Sequence, residues 1–459
     1  MIPPKPAARP HRVGPLRYLR LLRRDVLSAQ SDRLYRAKMA DYRVPGLLRS
    51  VLVNDPPLVD EVLRRRPMDF PKSARVGRGL RPLLGRSVFL TNGSEWERQR
   101  RIIDPAFEGG RLRDAFPGMV AAARAGAGRL SEGEVEIEEA ASHAAADVIF
   151  RTLFSVPIED ADARATFQAL QAYQRSGAVM RARHWLPLPG WILPPSPRPV
   201  RAAGAAVRLL IERMVARRAA EIEAKVAPDD LATKIMTQPD PETGERFGPA
   251  EMVDQVAIFF LAGHETSAAA LSWALWCLAA APDWQDRAAA EAAAWPEVPG
   301  FGDLSKLQVI RDVFRETLRL YPPVPMMMRT TTAPETFRGR RLRAGTQVVL
   351  SPWHLGRHEA LWDRPDTFDP GRWGAAGARE AARHGFLPFS AGPRVCTGAG
   401  FAMAEGAVLL AEMLRAWRFE TAGEVPMPVA HLTVRSANGI RLRLSRRQGD
   451  ARMRPEPPP

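Results

Sequence analysis

The chain has 459 residues, 46% of them apolar and 25% charged, which excludes a disordered chain, a collagen and a small disulfide-stapled fold. Two cysteines, Cys277 and Cys396, cannot build a disulfide framework and fit a reducing compartment. Sixty-six basic residues against 51 acidic ones give a formal charge of +15, compatible with nucleic acid, an anionic membrane or an acidic protein partner, or with Arg-rich solvated faces.

In chain order, residues 1–14 are Pro-rich and basic, lack the apolar stretch of a targeting signal, and read as a flexible lead. Residues 15–27 (PLRYLRLLRRDVL) form a basic amphipathic helix with Leu16, Leu19, Leu22 and Val26 at helical spacing. Its stripe is expected to pack on the protein body, and peripheral membrane contact is compatible with it. A short strand follows at 51–53. Trp96 and Arg100 then share one helix face at i, i+4. Helical stretches are predicted at 118–130, 136–154, 200–225 and 284–294. The Pro-rich loop 185–199 carries Trp185, Trp191 and several leucines.

The longest predicted helix follows Gly248-Pro249 and stops before Pro282, roughly 32 residues or ~48 Å. It is apolar nearly all round and so belongs in the interior. His264 and Glu265 at its centre argue against a bilayer span. Glu316 and Arg319 at i, i+3 share a face of a later helix, strands are expected at 347–350 and 440–444, and Phe368-Asp369-Pro370-Gly371-Arg372-Trp373 lies between them. Cys396 sits in a Gly- and Pro-punctuated turn (Phe389, Gly392, Arg394, Gly398) before a helical pattern. A helix N-terminus favours a thiolate, and a haem iron takes one such ligand. The tail 447–459 is expected to fray.

The pattern FxxGxRxCxG at 389–398 resembles the haem-binding loop of the cytochrome P450 family. Ala262-Gly263-His264-Glu265-Thr266-Ser267 resembles the family's oxygen-activation motif, ExxR at 316–319 and the 368–373 segment resemble its core triad, and WxxxR at 96–100 resembles its propionate-binding helix. Two departures are Gly371, where Glu is usual, and Trp373, where Phe is usual. The motif order is right over residues 15–445.

The resemblance implies a mainly α fold with minor β, a single domain over 15–446 with a long buried central helix over haem b. It implies an iron on the Cys396 thiolate, a cofactor cradle of Trp96, Arg100, Arg329, Arg394, Phe389 and Gly398, and a structural triad of Glu316, Arg319 and Arg372. Gly263 would open a groove for dioxygen, while Glu265 and Thr266 would deliver protons. A pocket wall is expected from Phe259, Ala262, Gly263 and Thr266, from Val324 to Met328, and from parts of 71–92 and 165–195. The activity implied is a cytoplasmic monooxygenase acting with O2 on a small hydrophobic molecule. No flavin or dinucleotide fingerprint is present, so electrons would come from an acidic ferredoxin or flavodoxin with its reductase, steered by Arg98, Arg101, Arg111 and Arg113. Alternatives are a peroxygenase or isomerase needing no redox partner, and a haem-bound sensor. No DNA-reading module is recognisable, so no nucleic-acid partner is expected.

Overall fold

The computed structural model of the chain describes residues 1–10, 13–44, 48–108, 110–176 and 197–447. Helices dominate and the sheets are small and peripheral, in agreement with the predicted class. The predicted loop at 185–199 lies outside the described residues up to 196, and the tail beyond 447 lies outside them as well.

The long apolar run is a single helix, Pro249–Ala279, of 31 residues. Pro249 opens it where a missing N–H costs nothing, and the Glu251 carboxylate accepts the Gly248 N–H at 3.0 Å. Its alanine-rich face packs on helix Ile137–Leu153, where Ala141, Ala144 and Ala145 are buried. Gly263 marks a close approach of the two helices: a Cβ there would fall 2.3 Å from Ile149 Cδ1. On another side lie helices Gln308–Leu320 and Ala399–Ala416. A Cβ on Gly406 would fall 2.3 Å from Phe314 Cζ, so these two also meet at a glycine.

The main sheet has four strands in the order Met39–Val44, Leu48–Val53, Gln347–Leu350, Met327–Thr330. Leu48–Val53 runs parallel to Gln347–Leu350, with Val51 opposite Val348 and Val53 opposite Leu350, and the other pairings are antiparallel. These alternating positions form a second apolar cluster with Phe70 and Phe337. Met327–Thr330 was not expected as a strand; as one, it buries Arg329.

Residues 1–10 differ from the expected flexible lead. A Pro-rich extended segment has carbonyls with no internal partner, and the body supplies donors. The Phe368 N–H donates to Met1 O at 2.9 Å, Tyr321 Oη to Pro4 O at 2.7 Å and Arg9 Nε to Ala29 O at 2.6 Å, while Lys5 pairs with Asp366. The following helix, Pro15–Arg24, differs too. Tyr18 stacks with Tyr42 at 6.3 Å between ring centroids and Val26 is buried, but Leu16 is 85% exposed rather than packed.

Candidate active site

Cys396 ends a tight loop over 389–398. Gly392 has φ +67°, and a Cβ would fall 2.0 Å from Leu63 O, so glycine alone fits. The Cys396 N–H donates to Phe389 O at 2.8 Å. Burial pushes the thiol up, opposed by the Gly398 N–H directed at the sulfur and by the Arg100 guanidinium. The expected lowering by the helix terminus is therefore outweighed by desolvation. The side chain is nonetheless accessible, so the sulfur borders open space while being crowded by the surrounding protein. Cys277 is fully buried in the central helix, where burial drives its thiol far above the ordinary range.

The central helix is buried except along one stripe. Phe259, Ala262 and Thr266 follow spacings of three and four and are partly open, while Leu261, His264, Glu265 and Ser267 are buried. The Thr266 hydroxyl donates to Ala262 O at 2.5 Å and so lies along this stripe. Gly263, expected to open a groove, is partly open beside the stripe, and the Ile149 side chain lies where its Cβ would stand.

His264 and Glu265 turn away from the stripe. His264 Nε2 lies 2.6 Å from Ser142 Oγ, and burial holds the ring neutral, pushed down to about 3. Glu265 accepts from Gln174 Nε2 at 3.0 Å and from Thr433 Oγ1 at 2.8 Å, with Arg435 Nε at 3.7 Å. Arg435 is partly exposed and leads from this carboxylate to the surface.

A second constellation gathers cations. Arg329 comes from the Met327–Thr330 strand, Arg394 from the cysteine loop, and Trp96 and Arg100 from helix Gly93–Ile103. Lys72, which the motif reading missed, joins them through a bridge pairing of Lys72 with Arg329. The Trp96 ring has Lys72 Nζ at 5.6 Å, Arg394 Cζ at 4.8 Å and Arg100 Cζ at 6.0 Å from its centroid. Among the described residues Arg100 is the member of this group with an ion-paired carboxylate, Asp104 at 2.8 Å, while Glu97 acts on Arg394 without pairing with it. Burial first, then repulsion from Arg394, Arg329 and Arg100, pushes Lys72 down to about 6, and burial pushes Arg329 down to about 10. The Nε atoms of Arg329 and Arg394 are buried without a partner. Buried cations in this number are costly without anions. The cluster therefore fits a ligand bearing paired carboxylates. In a chain with six lysines, one at Pro71-Lys72-Ser73 was the available sequence signal.

The fold brings Glu316, Arg319 and Arg372 together. Glu316 accepts Arg319 Nη2 at 2.7 Å and Nε at 2.9 Å, Arg372 Nε at 2.9 Å and the Asp369 N–H at 2.9 Å. The two departures find local roles. Trp373 packs on Phe386 at 4.9 Å, and Gly371 sits against Trp284, whose ring a Cβ would approach to 3.4 Å. Among the described residues no group of three His, Cys, Asp or Glu could hold a metal ion.

A family profile for Cytochrome P450 matches residues 44–442. The chain belongs to the cytochrome P450 family. The chain is 33% identical to a cyclooctat-9-en-7-ol 5-monooxygenase of Streptomyces melanosporofaciens, over 81% of each chain. A cyclooctatin synthase of the same organism is 31% identical, with 88% of this chain and 85% of that protein covered. The crystal structure of the cytochrome P450DA heme domain superposes with a TM-score of 0.80 at 25% identity, covering 97% of this chain and 98% of that one. This P450 is a haem-dependent monooxygenase whose cofactor is haem b, with its iron on a cysteine thiolate. The cluster of cations short of carboxylates and the accessible Cys396 thiol suit a group that combines two propionates with a metal. No helix among the described residues is long and apolar enough to cross a membrane.

Proposed function

We propose that this P450 inserts one oxygen atom of O2 into a bulky, sparingly polar small molecule, with Cys396 as the thiolate ligand and the Phe259–Ala262–Thr266 stripe as the distal wall. The observation that carries the reading is that stripe: an open strip on a buried helix, ending in a hydroxyl, in a chain whose other cysteine is sealed in the core. Bound haem supplies the oxygen-activating chemistry, favoured by electron donation from the thiolate. Trp96, Arg100, Arg329, Arg394 and Lys72 hold the propionates, and Phe389 and Gly398 shape the thiolate's cradle. The Thr266 hydroxyl holds a proton beside the stripe, and the Glu265 carboxylate, which faces the surface beside Arg435, passes protons to it on turning towards the stripe. Met326, Met327 and Met328 give the pocket adaptable apolar surface. The relative named for a cyclic alkenol supports a substrate of that kind.

Electrons come from a separate acidic carrier. Of the four arginines expected to steer it, Arg98 is engaged by Glu251 at 2.8 Å and Arg101 by Asp240 at 2.6 Å, which leaves them little field to offer. Arg111 and Arg113 are exposed and take that role. Reversing both to Glu is expected to slow reduction by a ferredoxin about tenfold at low salt, with the difference shrinking as salt rises. A rate that does not depend on these charges rules the docking face out.

Haem-loaded protein, reduced under carbon monoxide, tests the central reading. It should show the red-shifted Soret band of a thiolate-bound iron, and Cys396→Ser should abolish it. In the same preparation Thr266→Ala should keep the band yet divert most reducing equivalents to peroxide. Undiminished coupling in that variant would remove Thr266 from the proton path, and turnover on peroxide alone would favour a partner-independent enzyme.

A further inference from the structure

Residues 72–92 form a closed loop. At its neck the Lys72 N–H donates to Asn92 Oδ1 at 2.9 Å, Asn92 Nδ2 donates to Lys72 O at 3.2 Å, and Lys72 Nζ donates to Val88 O at 2.7 Å. Helix Ala74–Leu84 runs out from this neck and turns at Gly85, which has φ +49°.

The far end of the loop is knotted by one carboxylate. Asp254, in the second turn of the central helix, is buried. Its Oδ2 accepts the Arg86 N–H at 2.7 Å, and its Oδ1 accepts Arg208 Nη1 at 2.6 Å. The same Arg208 nitrogen donates to Leu83 O at 3.0 Å. A Cβ on Gly85 would fall 2.1 Å from Asp254 Oδ1, so the turn is shaped to the carboxylate. Arg208 belongs to helix Arg198–Glu223, whose Gly204 lies against Pro82 O, 3.2 Å from where a Cβ would stand. One acid thus ties three elements together. Further polar holds on the loop include Gln255 Oε1 on the Val88 N–H at 2.9 Å, Gln99 Nε2 on Arg86 O at 2.7 Å, Glu95 on the Arg86 side chain and Tyr173 Oη on Gly79 O at 3.4 Å, with Gln347 Nε2 on Ser73 Oγ at 2.6 Å beside the neck.

The place of the knot gives it a use. Gln255, Phe259, Ala262 and Thr266 follow spacings of four, three and four, so they share one face of the central helix. The loop that Gln255 and Asp254 hold therefore crosses that helix at the end of the open stripe. Its inward side is apolar: Leu80, Leu83 and Leu84 are buried, and Val88 and Leu90 are partly so. Release of the far end would free this wall to move about its fixed neck and so widen the approach of a bulky ligand to the stripe.

We infer that Asp254 is a positioning residue that latches the 72–92 loop across the end of the distal stripe, and that its pairing with Arg208 sets the size of ligand admitted. The inference rests on the proposed function, since it takes the stripe as the distal wall. An exposed loop held by ordinary packing would be indifferent to this pair. A latch would not be, because a charge-assisted hydrogen bond to a buried carboxylate is among the stronger single contacts a protein makes.

The test uses haem-loaded protein and two probes of different bulk, imidazole and 4-phenylimidazole, followed by stopped-flow through the Soret shift each gives on binding iron. Asp254→Asn removes the charge, and Arg208→Leu removes the partner while leaving the carboxylate in place; Arg208→Lys is the conservative control. Arg208 is partly exposed, so its replacement leaves no buried void, and that variant carries the test if Asp254→Asn folds poorly. The association rate of 4-phenylimidazole should rise about tenfold in Arg208→Leu and Asp254→Asn and return towards the parent value in Arg208→Lys, while the imidazole rate stays within about twofold throughout. An unchanged ratio of the two rates in folded variants overturns the latch and leaves the haem reading intact. Absence of any Soret response to imidazole in the parent protein overturns the haem reading, and the latch with it.

Discussion

Glu316→Gln is expected to lower the unfolding free energy by about 3–5 kcal/mol, read as a fall in the thermal midpoint together with loss of haem retention. The size follows from what stays behind. Glu316 and Arg319 have no exposed side-chain surface, and Arg372 is only 10% exposed. The carboxylate takes three guanidinium donors and the Asp369 N–H. Arg319 is also held by the carbonyls of Gly356, Pro365 and Thr367, so it cannot swing out to water when its counter-charge is removed. A neutral amide leaves one buried guanidinium and most of a second uncompensated. The segment carrying Arg372 lies close before the cysteine loop in the chain, so weakening it loosens the support of Cys396. A loss below about 1 kcal/mol, the range of exposed ion pairs, would show that the cluster contributes little to stability.

Glu405→Gln is expected to act in the opposite sense. This carboxyl lies on the helix that follows Cys396 and is 1% exposed; among the described residues it meets the Ser267 hydroxyl at 2.6 Å alone, its other oxygen having no partner. Burial pushes it up from an ordinary 4.5 to about 8, with the Ser267 hydrogen bond opposing. The native state therefore keeps a proton that the unfolded chain has already lost between about pH 4.5 and pH 8. Stability falls as pH rises through that window, by about 4–5 kcal/mol in all, and the loss is complete above pH 8. Glutamine imitates the neutral acid at every pH. The variant should match the parent near pH 4.5, lack this downward slope, and unfold at a clearly higher temperature at pH 8. Parallel pH profiles for the two proteins would mean that Glu405 finds a compensating partner once ionised.

The contrast between these acids shows where sequence reading reaches. Glu316 was legible because its partners stand at recognisable spacing, three residues away and then in the Phe368–Trp373 segment. Glu405 was not, because nothing near it in the chain announces that Ser267, 138 residues away, will cover it. Lys72 is a similar case. Its importance lies in meeting Arg329 and Arg394, and only the pairing of distant segments produces that meeting. Arg98 and Arg101 fail in the reverse direction: as sequence they are two more surface cations, and in the fold Glu251 and Asp240 neutralise them.

The order of residues alone determined the class of the fold, the long interior helix from Pro249 and the loop around Cys396, while the resemblance of its motifs to those of the P450 family implied the haem-thiolate chemistry. Each of these depends on local rules: hydrophobic periodicity, glycine at a turn, and residue types that a cofactor demands at short spacing. Tertiary structure decided the rest. It tied the N-terminal segment to the body through Tyr321 and Phe368, gave Gly263 to Ile149, turned His264 and Glu265 off the stripe, and joined Gly85, Asp254 and Arg208 into one knot. These outcomes depend on which distant groups become neighbours, and on burial making an uncompensated charge or a single extra carbon expensive. Neither quantity exists until the chain has packed.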